Sequence, residues 1–509
     1  MIMRPAGRSA GILLVVLISI AVYANTLWNG FVYDDTVQIL ENPWIRDLRY
    51  LPDILGSDVW GFLKDPGLSK HYRPLLNLIY SLDYRLFGLN PSGFHLTNML
   101  LHAGASSLVF LVALALSGSR RTAFIAGILF AAHPVHTEAV AWVACISETS
   151  LAVFYLLSFL LYIKEKPALS GAAFFLALLS KEVALTLPAV LIAYDLSLRG
   201  KPFRERFSER YLPHILAAGA YFAMRVYATG LTPGFIPKHA ELTVWQYFIN
   251  ALLLFAGYLS KLILPIGLNA YHALNPVYSI TEPRGIMSVL VLAGFTAAAI
   301  ICRKRNRAFF ISLALIAAPL LPVLYIPAMG ENSFAERYLY LPSAGYVIIL
   351  AVFLERLRGL PFKKAGYAVS AIFILIVLLY SASAVKRNTA WRSDITLWED
   401  AVGKSPDHHV PHSELAFSYE MEGRLDEAVE HYKISLSMNP LHVIGHNRLG
   451  MIYLKQGLPD LAIEHFDYAI ALKPDVPVYY YNMASALRRK GWGLRAEEYE
   501  NKAKEMEKR

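Results

Sequence analysis

The chain is 509 residues long, 56% hydrophobic and 17% charged, with a formal net charge of +9. A balance this apolar lies outside the range of soluble globular chains and indicates a polytopic membrane protein. Nucleic-acid binding is excluded as the meaning of the positive charge, because the basic residues fall in short runs between apolar segments, where orientation in a membrane accounts for them.

Apolar segments long enough to cross, or nearly cross, a ~30 Å hydrocarbon core lie at 10–28, 96–117, 122–139, 148–163, 168–179, 184–198, 211–228, 246–265, 286–302, 308–328, 341–354 and 365–384. The N-terminal stretch and the runs Arg120-Arg121, Lys164-Glu165-Lys166, Arg199 to Arg210, Arg303 to Arg307 and Arg356 to Lys364 mark the cytoplasmic side. Parity then requires one segment not to cross. Segment 246–265, with Pro265 as its break, is expected to be re-entrant or half-inserted, which leaves eleven crossings. The loop 29–95 and the residues after Ser383 then lie outside. Val22-Tyr23-Ala24 fits a signal-peptidase site, but an uncleaved first helix keeps the count consistent. Cys145 and Cys302 are expected near opposite faces and cannot bridge.

Just past the first apolar helix comes Phe31-Val32-Tyr33-Asp34-Asp35, and two carboxylates at a membrane exit need a chemical reason. The loop 29–95 is too long for a mere connector, and Trp44, Trp60 and Phe62 predict short helices along the membrane surface. A second polar cluster is His133-Pro134-Val135-His136-Thr137-Glu138-Ala139-Val140-Ala141-Trp142, followed by Ser147-Glu148. His133, His136 and Glu138 are weak metal candidates, because HxxHxE lacks the i, i+4 pairing of metalloprotease helices. In Ser180-Lys181-Glu182 the two charges either pair with each other or face a ligand. The last cluster is Glu336-Arg337-Tyr338-Leu339-Tyr340-Leu341-Pro342-Ser343, with Arg225, Lys261 and His272 flanking the ambiguous region.

After the membrane domain at 1–385 the composition turns polar and a period of 34 residues appears. Gly423, Gly457 and Gly491 share one column; Ala428, Ala462 and Ala496 another; Pro406, Pro440 and Pro474 a third. This is the tetratricopeptide pattern, an α-solenoid of three repeats over 409–509 behind a lead-in helix within 386–408. Its concave face suits a peptide or protein partner; the alternative is a brace for the membrane domain.

Acids, fixed cations and interfacial aromatic residues on one face suit a reaction between a lipid-linked phosphate and a water-borne acceptor. A sugar on polyprenyl phosphate carries a good leaving group. Its transfer needs a carboxylate to take the acceptor's proton and cations to stabilise the departing phosphate.

In the order Phe31 to Asp35, His71-Tyr72-Arg73-Pro74-Leu75, His133 to Val140, Leu179 to Glu182 and Glu336 to Ser343, followed by the repeats, the chain resembles the transmembrane and tetratricopeptide-repeat-containing O-mannosyltransferases of the GT-C glycosyltransferase class. The resemblance implies an all-α fold of about eleven transmembrane helices with the repeat solenoid behind it. It implies a polyprenyl-phosphate donor, mannose in the eukaryotic members, a protein Ser/Thr acceptor, and inversion at an extracytoplasmic site. It puts the base on Asp34 with Asp35 the close alternative, and gives Glu138, with His136, an acceptor-orienting or cation-binding role. Arg73, Lys181 and Arg337 would hold the lipid phosphate, with Glu182 and Tyr338 beside them. The sugar lipid is a substrate, no organic cofactor is implied, and a divalent metal is left open. Implied partners are the lipid-linked donor, a protein acceptor reached through the repeats, and membrane lipids, with no nucleic acid. About three repeats are fewer than eukaryotic members typically carry, so the identity of the acceptor carries over poorly; a prokaryotic-type member in a bacterial inner membrane is expected. The rival readings are a membrane scaffold recruiting envelope partners, and a lipid-linked sugar transporter, which would place its ionisable groups nearer the midplane.

Overall fold

The computed structural model describes residues 8–63, 71–197, 203–230, 242–273, 275–325, 332–361 and 364–508; the N-terminal stretch and parts of the runs at 199–210 and 356–364 lie outside them. The described residues are helices joined by loops, and their one strand-like pairing is an isolated bridge between Ala273 and Asn332. They pack as two units, one of Met1–Leu268 with His272–Ser393 and one of Asn269–Tyr271 with Asp394–Arg509.

In the first unit, local chemistry sets the helix ends. The helix Pro91–Ser117 opens on Asn90, whose side chain accepts from the Ser92 amide, and closes on Gly118 at φ 67°. Ser119 then caps Arg120–Ala132. Pro134 disfavours α geometry at His133, so the expected segment 122–139 becomes two helical pieces bent by 48°. Among the described residues seven helices are long and apolar enough to cross a membrane, eight if this bent pair is one span. The chain is a multi-pass membrane protein, and its described residues hold fewer unbroken spans than the eleven expected. The shortfall has physical causes. Pro167–Ser180 and Leu187–Ser197 are too short, Phe203–Thr229 opens on charged residues, and Pro342–Arg358 ends on them.

The segment expected to be re-entrant is a continuous helix. Val244–Ile263 is an unbroken helix with a full capping box from Thr243 and Gln246, long enough to cross by itself. Pro265 follows its end, where Lys261 Nζ binds the carbonyls of Ile266 and Gly267, and does not interrupt it.

Close helix approach builds the core. A methyl group on Gly127 would lie 2.9 Å from Val15 and 3.1 Å from Phe110, so Arg8–Tyr23, Pro91–Ser117 and Arg120–Ala132 meet where no larger residue fits. A methyl on Gly345 would lie 2.3 Å from the Ser312 carbonyl, fixing Pro342–Arg358 against Arg307–Leu320. The loop 29–95 carries short helices, as expected: Leu51–Gly56, Pro74–Phe87 and several 3-10 turns, with Trp44 stacked on Tyr50.

The second unit contains three helical pairs, His409–Met421 with Leu425–Met438, Val443–Lys455 with Pro459–Leu472, and Pro477–Arg489 with Gly493–Glu507, after the helix Asp394–Lys404. Gly423, Gly457 and Gly491 turn each pair at φ 77°, 78° and 85°, a region that costs other residues steric strain. Ala428, Ala462 and Ala496 are fully buried where the helices touch.

Candidate active site

The segment Phe31 to Asp35 leaves the first membrane helix through a strained turn, with Tyr33 at φ 53°, a region bulky residues rarely occupy. Asp35 holds that turn. It is fully buried; its Oδ2 accepts from the Val32 amide at 3.0 Å and its Oδ1 from the Ala144 amide at 2.7 Å. Both carboxylate oxygens are thus committed to backbone. Asp34 differs: it is only partly buried and has no hydrogen-bond partner among the described residues. Burial pushes its carboxyl up to about 6, with the Arg337 cation pulling the other way. The two adjacent acids therefore have separate physical roles.

The bend at Pro134 directs Glu138 inward. Its side chain, 2% exposed, accepts from the Arg337 amide at 2.9 Å and pairs with the Arg337 guanidinium. That guanidinium lies over the rings of Tyr338, at 4.9 Å, and Trp142, at 5.5 Å. Trp142 in turn stacks on Trp391 and meets Tyr33 at 5.6 Å, while its indole N–H is buried with no acceptor among the described residues. A ligand oxygen would satisfy such a donor.

Lys181 and Glu182 do not pair with each other. Pro167–Ser180 ends in an extended residue at Lys181, φ −164°, so the two neighbouring side chains point apart. Lys181 pairs with buried Glu148 and sits 4.9 Å over Tyr338. Glu182 receives Arg73 in a two-pronged pair at 2.6 and 3.0 Å. Burial by itself would raise Glu182, but the Arg73 cation outweighs it and holds the carboxyl well below the usual range. The same cation, with burial second, lowers His71 to about 4, so its imidazole is neutral near pH 7. Beyond Arg337 the alternation continues through Glu336, which accepts from His272 at 2.8 Å and faces Arg387 at 4.0 Å.

The structure thus brings Asp34, Glu138, Arg337, Tyr338 and Lys181 together, with the Arg73–Glu182 pair in electrostatic reach of Glu148 and Tyr338, and Asp35 bracing the turn that carries Asp34. It does not gather the metal candidates. His133 Nε2 reaches the Leu262 carbonyl at 3.1 Å, His136 Nε2 the Ser343 hydroxyl at 2.7 Å, and Glu138 turns to Arg337. Among the described residues no three His, Cys, Asp or Glu side chains converge as a metal site. His136 is fully buried against Phe130 and Tyr340, and its Nδ1 has no hydrogen-bond partner among the described residues. Sequence reasoning missed Glu148 as the partner of Lys181, and Trp391 and Arg387 altogether. Glu148 lay within a quoted cluster; the other two are brought in only by folding.

Comparison with known proteins agrees with this layout. A tetratricopeptide-repeat family model matches residues 418–477. The protein O-mannosyl-transferase F38B6.6 of Caenorhabditis elegans is 27% identical, covering 84% of this chain and 63% of its own length. Protein O-mannosyl-transferase TMTC1 of Homo sapiens is 26% identical, covering 86% of this chain and 55% of its own. The chain therefore spans between half and two thirds of these relatives. The crystal structure of MamA is 19% identical over 32% of this chain and 90% of that one, at a TM-score of 0.22, too distant to build on. Several membrane helices, the repeats that follow them and relatives matched over most of the chain agree: the chain is similar to the transmembrane and tetratricopeptide-repeat-containing proteins whose relatives here are named protein O-mannosyl-transferases.

Proposed function

We propose that the chain is a membrane glycosyltransferase that moves a hexose, mannose-like, from a polyprenyl-phosphate donor to a hydroxyl, that of a protein serine or threonine, on the extracytoplasmic face. The observation that carries this reading is the division of labour between Asp34 and Asp35. One acid anchors a strained turn; the other stands partly exposed beside Arg337 with its carboxyl raised to about 6, close to the working range of a general base.

Asp34 takes the proton of the acceptor hydroxyl as that oxygen bonds to the anomeric carbon. The bond from that carbon to the phosphate oxygen breaks, and the electron pair leaves with polyprenyl phosphate, inverting the centre. Arg73, Lys181 and Arg337 face the departing phosphate, each steadied by a carboxylate so that little reorganises during reaction. The Tyr338 ring lies 4.9 Å from both Lys181 and Arg337. The repeats supply a surface for the acceptor protein.

Chain reconstituted with polyprenyl-phosphate mannose and a serine- and threonine-containing peptide should add one hexose, read by intact mass. Asp34→Asn and Glu138→Gln should lose the product while keeping the wild-type circular dichroism. Full transfer by both variants would remove the basis of the reading.

A further inference from the structure

A second charged region lies at the other end of the membrane helices. In Pro91–Ser117, Asn98 binds the carbonyls of Ala139, Val140 and Trp142 in the candidate site. Ser117 ends the same helix about 28 Å further on at 1.5 Å per residue, close to the thickness of a hydrocarbon core. There a cavity of about 470 Å³ is lined by Arg305, Arg307, Arg356, Ser119, Asn306 and Glu355.

Its charge differs in kind from that of the candidate site, where each cation has a carboxylate. Arg305 and Arg356 make no hydrogen bond or ion pair among the described residues, although Glu355 is close by. Arg307 lies 4.2 Å over the Tyr194 ring, and its Nε is buried without an acceptor among the described residues. Three guanidinium groups thus face one carboxylate. Two helices also begin here, Arg120–Ala132 and Arg307–Leu320. Ser119 and Asn306 cap one amide of each, at Thr122 and Phe309, and both positive helix ends meet the cavity. Leu116 and Val352 give it an apolar margin.

We propose that this cavity binds the phosphate headgroup of an anionic lipid. Forked guanidinium donors match phosphate oxygens, hydroxyl and amide groups complete the polar lining, and the apolar margin suits the start of an acyl chain. A free phosphate ion shares the headgroup chemistry but would gain nothing from that margin or from the position at the ends of membrane helices.

The test is native mass spectrometry of the full chain after exchange into equal amounts of phosphatidylglycerol and phosphatidylcholine, with inorganic phosphate as a separate arm. The wild type should retain phosphatidylglycerol preferentially. Arg305→Gln with Arg356→Gln, both surface positions that leave the fold intact, should lose that preference by about fivefold per arginine. Equal retention of the two lipids by the wild type, or a preference unchanged in the double variant, overturns the proposal. So does stabilisation by inorganic phosphate that the double variant abolishes in the absence of any lipid preference, since the site would then serve a soluble anion.

Discussion

At the scale of single residues, adjacent side chains here do opposite work, and the distinction comes from distant backbone. The motif Phe31 to Asp35 is plain in the sequence, and so is the need for an acid. Which acid stays available depends on the Ala144 amide, 109 positions away, which binds Asp35 and leaves Asp34 aside. No local pattern encodes that. Asp35→Asn should lower stability by about 1.5–3 kcal/mol, because a charge-assisted acceptor of two backbone amides is lost. Asp34→Asn should not lower it, since the partly desolvated charge it removes is one that the fold holds at a cost. Thermal melting of the two variants in the same detergent compares them directly; a larger loss for Asp34→Asn would reverse the assignment of roles. The Lys181 and Glu182 pair teaches the same lesson. Opposite charges side by side look self-compensating in sequence, yet extended backbone sends one to Glu148 and the other to Arg73.

Among the elements, the repeats were the most legible, because a 34-residue period fixes glycine, alanine and proline columns that need no tertiary information. A finer regularity shares that period. His412 Nδ1 lies 3.0 Å from His431 Nδ1, and His446 Nδ1 lies 3.0 Å from His465 Nδ1, while Tyr480 and Tyr499 occupy the same columns in the last repeat. The Nε2 atoms of His412 and His446 donate to the carbonyls of Pro406 and Pro440, which leaves each Nδ1 as the acceptor in its pair. Burial lowers His431, His446 and His465 below their ordinary 6.5, and the partner histidine adds to this at His431 and His465. The unfolded segment therefore takes up protons first as pH falls. The stability these groups allow is complete above about pH 6.5 and declines below it. Amide exchange, corrected for its intrinsic pH dependence, should accelerate over 409–472 between about pH 7.5 and 5.5 and change little over 477–507. Uniform acceleration along the tail would contradict this. The membrane segments were legible as helices but less so as spans. Pro134 was visible, whereas the bend it imposes, and the unbroken run of Val244–Ile263 ahead of Pro265, are settled by packing and capping.

For the whole molecule, the two units make the enzyme and scaffold readings separable. Deleting 394–509 removes the repeat-bearing part of the second unit. If the chemistry lies in the membrane unit, the truncated chain should still transfer hexose to a small hydroxyl acceptor while losing transfer to a folded protein; a scaffold would lose every function at once. The transporter reading is disfavoured by position, since the acids and cations cluster around the broken segment and the turns at Tyr33, Lys181 and Glu336. The basic cavity at the far ends of the same helices gives the membrane unit two chemically different ends, one with cations matched to acids and one with arginines unmatched. The central claim is that Asp34 takes the acceptor's proton, and kcat/KM for hexose transfer measured between about pH 4.5 and 8 tests it most directly. The wild type should rise with pH through a single ionisation near 6, as expected for a base that must be unprotonated and whose carboxyl burial has raised. Asp34→Asn should be at least about 100-fold slower and show no such limb. A limb near 6 that persists in Asp34→Asn, or a rate close to wild type, would contradict the account.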